Sequence, residues 1–123
     1  MRIIAALLSL IMLAACSELL PPPTPTRSLL ERQGRSVFES YCSRCHGTSG
    51  DTVVVGPSLA GIASSGGGRR AGMDAEAYIR DSIMNPWDYT VEGFAEGVMP
   101  TSLKDELSPE ELDAVVTYLL TLK

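Results

Sequence analysis

The run Cys42-Ser43-Arg44-Cys45-His46 limits what this chain can become more than any other stretch of its 123 residues. Two thiols three residues apart lie on the same side of a helical turn, and a histidine follows directly. That arrangement lets both sulfurs reach one edge of a haem and join its vinyl groups, while the imidazole passes beneath the iron as proximal ligand. A thioredoxin-like redox pair, half of a zinc site and a structural disulfide use the same C-x-x-C spacing. A structural zinc site takes four nitrogen or sulfur ligands, and the chain offers few beyond Cys42, Cys45 and His46. No alternation of strands and helices surrounds the motif, which weakens the thioredoxin-like reading. The spacing therefore predicts one covalently attached haem c.

The third cysteine, Cys16, belongs to other chemistry. Residues 1–15 carry Arg2 and then an apolar run that is too short to span a bilayer but long enough for a signal peptide. The run ends Leu13-Ala14-Ala15-Cys16, which resembles the lipobox of bacterial lipoproteins. That resemblance implies removal of residues 1–15 and diacylation of Cys16, and two acyl chains anchor stably where one does not. The ordinary alternative is a signal peptide with an incidental cysteine nearby. Residues 16–27 then form a tether containing Pro21-Pro22-Pro23-Thr24-Pro25-Thr26. Polyproline geometry extends about 3.1 Å per residue, so this tether reaches on the order of 30 Å. The expected location is the outer face of the bacterial cytoplasmic membrane, or the periplasmic side of a bacterial membrane.

Residues 28–123 are expected to form a single small domain, one in which an apolar core alone is thin. Loss of Arg2 with the leader takes the formal charge from −5 to −6. An acidic surface excludes nucleic acid as a partner, because phosphate binding needs clustered Lys and Arg.

Three helices can be placed. The first opens at Ser28, with Glu31 completing a capping-box pattern, and carries Leu30, Val37, Phe38 and Tyr41 at helical spacing. The second starts at Asp74, carries Ala77, Tyr78, Ile79 and Ile83, and must stop near Asn85-Pro86. The third opens Ser108-Pro109-Glu110-Glu111 and continues through Leu112, Val115, Val116, Tyr118, Leu119 and Leu122 to the chain end. Val53-Val54-Val55 reads as a short extended piece. The expected class is all-α.

Over residues 29–123 the chain resembles the class I cytochrome c family. Gly34, Phe38 and Cys42 match the family's small residue, aromatic and first haem cysteine on the opening helix, and Val115, Tyr118 and Leu119 match the facing positions on the last. The resemblance implies a small fold of three main helices packed around one covalently bound haem. Gly56-Pro57-Ser58-Leu59 resembles the loop in which the proline carbonyl, here that of Pro57, accepts the proton-bearing nitrogen of the proximal histidine. Because His46 is the only histidine, a second imidazole from the same chain is excluded. The distal candidates are Met73, Met84 and Met99; Met99-Pro100 resembles the family's methionine-proline ligand pair.

A narrower likeness runs from Tyr78 to Pro86, then Val91-Glu92-Gly93-Phe94 and Met99-Pro100. It resembles the cytochrome domains fused to subunit II of haem-copper oxidases and the small cytochrome subunits of alternative complex III. These resemblances imply a membrane-tethered one-electron carrier, or small complex subunit, serving a respiratory or photosynthetic redox complex, with no small-molecule substrate expected. Arg69, Arg70, Trp87 and Tyr89 are candidate haem-propionate contacts, with a solvated loop and one core tryptophan as the plain alternative. A haem enzyme or gas sensor is the competing function class, and it requires a displaceable sixth ligand.

Overall fold

A computed structural model describes residues 28–51 and 53–123. The expected leader, Cys16 and the tether lie outside the described residues. Five helices follow in order: α1 (Leu29–Tyr41), α2 (Ile62–Ser65), α3 (Ala75–Met84), α4 (Leu103–Glu106) and α5 (Pro109–Leu119). Among the described residues there is no strand beyond one isolated antiparallel bridge between His46 and Val53. The expected extended piece at Val53-Val54-Val55 is thus reduced to that bridge. Among the described residues, too, no helix is long and apolar enough to cross a membrane.

Each long helix begins where its capping residue predicts. Ser28 Oγ accepts from Glu31 N at 3.1 Å, and Asp74 Oδ1 accepts from Ala77 N at 2.8 Å, satisfying amides that have no partner inside the helix. At α5 the box is reciprocal: Glu111 N donates to Ser108 Oγ while Ser108 N donates to Glu111 Oε2. The Ser108 amide and hydroxyl both donate to Glu111 Oε2 and hold that carboxyl below its ordinary value. Helix α3 ends at Met84, with Asn85 as its C-cap ahead of Pro86, as the proline requires. Helix α5 stops at Leu119 rather than at the chain end, and Leu122 leaves it to accept a backbone bond from Ala63 N at 3.1 Å.

The core forms where α1 and α5 cross. Gly34 is buried there, and a Cβ added to it would lie 1.9 Å from the Ala114 carbonyl oxygen. Only a residue without a side chain permits that approach, which outweighs its cost of about 1 kcal/mol in a helix. Below the crossing, the Phe38 and Tyr118 rings meet at 5.6 Å between centroids, tilted by 50°. Val37, Val115, Val116 and Leu119 are buried around them. Leu30 departs from its expected place on this face: it sits in the first turn of α1, ahead of the crossing, and is exposed.

Helix α3 contributes buried Tyr78, Ile79 and Ile83 to the same core, while Ala77 faces solvent. Arg80 ties α3 to α5 through Asp113 Oδ1 at 2.7 Å. Irregular segments connect these helices among the described residues: 42–51 and 53–61 hold the cysteine motif and Pro57, 66–74 holds Arg69, and 85–102 holds Met99.

Candidate haem site

The cysteine motif continues directly out of α1. Cys42 N and Ser43 N both donate to Phe38 O, at 2.9 and 3.0 Å, and Cys45 N and His46 N both donate to Cys42 O at 3.0 Å. The two thiols are free, not joined as a disulfide, and both are part-buried. Burial first, and the neighbouring Cys45 second, raise the Cys42 thiol to about 11. Among the described residues no group of three or more His, Cys, Asp or Glu side chains converges as a metal site. Among the described residues the zinc reading therefore lacks its further ligands, and no strand–helix alternation frames the motif as a thioredoxin-like pair would require.

His46 is oriented from behind. Its Nδ1 lies 2.8 Å from Pro57 O, a contact that makes Nδ1 the protonated nitrogen and leaves Nε2 with a free lone pair. The loop that brings Pro57 into position is bonded back onto the motif: Gly56 N donates to Cys45 O at 2.8 Å and Leu59 N to Gly47 O at 2.8 Å. Ser58 Oγ pins the same loop to Gly50 O at 2.7 Å. Gly56 has its own reason. A Cβ there would meet His46 Cε1 at 2.5 Å, so a side chain would press on the imidazole.

Cys42, Cys45, His46 and Met99 all line one cleft. Its surface is largely apolar, with Ile62, Ile79, Ile83, Phe94 and Leu103 among the lining residues. Two thiols at one edge, an imidazole with a free nitrogen and an apolar cleft are the donor set and surroundings that suit a covalently held haem. Met73 packs on the core and Met84 borders a shallow surface groove, and neither lines the cleft.

The candidate propionate contacts divide. Arg69 lines the cleft, its guanidinium 5.6 Å from the Tyr78 ring centroid and 3.5 Å from the Tyr78 hydroxyl. Tyr89 lines it too, edge-on to Tyr78 at 6.0 Å. Trp87 also lines it, but its Nε1–H donates to the Met99 carbonyl at 3.0 Å. Arg70 is not on the cleft wall; it pairs with Asp81, which also accepts from Asn85 Nδ2 at 2.9 Å. Sequence reasoning passed over Leu103 and Phe94 as wall residues. Leu103 lies in a four-residue helix, too short to show a period, and Phe94 is an isolated aromatic in a loop.

Comparison with curated proteins found no match. The family model described as Cytochrome c matches residues 32–123, three quarters of the chain. With the motif, the oriented histidine and the apolar cleft inside those bounds, the chain belongs to the cytochrome c family and is an electron-transfer protein carrying covalently bound haem.

Proposed function

We propose that this cytochrome c is a membrane-tethered one-electron carrier whose haem iron is held by His46 and Met99. Cys42 and Cys45 supply the two thioether links for a single haem. The observation that carries the ligand assignment is the cleft itself: His46 and Met99 both line it, while Met73 and Met84 do not. Bound haem c supplies a reversible one-electron couple. A thioether opposite an imidazole favours ferrous iron and raises the potential, as suits a carrier. Pro57 fixes the imidazole through its carbonyl, and the apolar wall keeps water from the metal. Arg69 and Tyr89, which line the cleft, would meet the propionate edge.

Diacylated Cys16 and the proline-rich tether would hold this domain at the outer face of a bacterial membrane, beside a respiratory or photosynthetic redox complex. Support for the anchor comes from the sequence alone, in Leu13-Ala14-Ala15-Cys16. Cys16→Ser is expected to release the protein from membranes.

The ligand pair is tested spectroscopically. Met99→Ala should abolish the weak far-red charge-transfer band of the ferric protein, lower the potential and admit carbon monoxide to the ferrous iron. Met73→Ala and Met84→Ala should leave all three unchanged. If the wild-type ferrous protein binds carbon monoxide readily at neutral pH, the sixth position is open and the enzyme or sensor reading replaces this one.

A further inference from the structure

We infer that Trp87 is a positioning residue for Met99: its indole N–H fastens the Met99 carbonyl and thereby keeps the thioether facing the iron. This rests on the reading of Met99 as the distal ligand. The segment from Asn85 to Ser102 joins α3 to α4 without regular structure, a length at which an unbraced loop samples many conformations. Two backbone hydrogen bonds form inside it, Asp88 N to Asn85 O and Phe94 N to Val91 O, both at 3.1 Å. Each closes only a local turn. Among the described residues, the bond from Trp87 Nε1 to Met99 O is the one hydrogen bond that joins the two limbs of the segment, twelve residues apart.

Its place is specific. Trp87 follows Pro86, which is buried and fixes where the first limb leaves α3. On the second limb the indole takes the carbonyl of Met99, the very residue whose thioether is read as the distal ligand. The indole itself is 59% exposed, so burial of the ring is a minor part of what it contributes. An indole has a single donor, and here Met99 O takes it; the propionate role expected for Trp87 has no N–H left to use.

The experiment measures imidazole binding to the ferric, haem-loaded full chain, since added imidazole must displace the distal ligand. Trp87→Phe keeps a ring and removes the donor. Because Trp87 is the chain's one tryptophan, biosynthetic replacement of the indole by its benzothiophene isostere is a second variant of nearly unchanged shape. Losing one hydrogen bond should enlarge the detached population, and hence the apparent imidazole affinity, about two- to tenfold. Met99→Ala should raise the affinity further, and Trp87→Phe should add nothing in that background. An unchanged affinity in both Trp87 variants, with a raised one in Met99→Ala, overturns the inference and leaves the ligand reading standing, even if the melting temperature falls. An equal effect of Trp87→Phe with and without Met99 means that the indole acts on the haem directly, which also overturns it. No effect of Met99→Ala removes the ligand reading, and the inference with it.

Discussion

Gly56 stands between two demands on His46, whose imidazole must face the cleft while staying bonded to the neighbouring Pro57 carbonyl. A Cβ at position 56 would lie 2.5 Å from His46 Cε1 and 2.9 Å from Nδ1, so the ring must swing or the loop must lift. Either response strains the 2.8 Å contact with Pro57 O. Gly56→Ala is therefore expected to cost about 1–3 kcal/mol of holoprotein stability, in the range of overpacking changes. Thermal melting followed in the haem absorption band measures it, and the reduction potential should shift with the imidazole. An unaltered melt and potential would mean that the ring has room to spare. At this scale the sequence is informative where chemistry fixes spacing, as in Cys42, Cys45 and His46. It is silent where a residue matters for what it lacks or for its own backbone. The clearance at Gly56 and the carbonyl of Met99 are properties of packing, and no residue pattern encodes them.

The element that sets the fold is the α1–α5 pair, and its closest point is Gly34 against Ala114. An alanine Cβ at position 34 would meet the Ala114 carbonyl oxygen at 1.9 Å and carbon at 2.5 Å, which are backbone atoms with no rotamer to yield. Two effects of opposite sign compete. Alanine gains about 1 kcal/mol over glycine as a helix former, whereas forcing the helices apart costs about 1–3 kcal/mol and loosens every contact below the crossing. Packing should win, so Gly34→Ala is expected to lower the denaturation midpoint. Ser36→Ala, on the exposed side of the same helix, should leave it unchanged or raise it slightly. A stabilised Gly34→Ala would sink this account of the crossing. The long helices were legible because caps, proline stops and apolar periods agree at Ser28, Asp74, Asn85-Pro86 and Ser108. Helices α2 and α4 were not, since four residues offer neither a period nor a side-chain cap bond. The end of α5 was overrun for a related reason: Leu122 continues the apolar spacing, but its carbonyl is held by Ala63 N outside the helix.

Across the described residues, the helices pack on one another, and the cleft is lined by their inner side chains together with the irregular segments. Among the described residues, the large side chains that are almost completely enclosed are Ile62, Val115 and Val116. A domain of this size buries a modest share of its surface, and its net stability is a small difference between large opposing contributions. Among the described residues, 42–51, 53–61 and 85–102 have few backbone bonds of their own beyond local turns and the ties at Gly56, Leu59 and Met99. Their apolar side chains, Ile83 and Leu103 behind them included, need something to close on. In the proposed arrangement, haem joined at Cys42 and Cys45 would fill that role, linking attachment to folding in the way metal binding and folding are linked in small metalloproteins. Protein made without haem-attachment machinery, or with Cys42→Ala and Cys45→Ala together, should show little native helix by circular dichroism and no cooperative melt. The double substitution should also remove the covalently bound haem band from a denaturing gel. A haem-free form that melts cooperatively at a temperature near that of the holoprotein would mean that the α1–α5 crossing and the α3 face are sufficient alone, and that the cleft is built before the haem arrives.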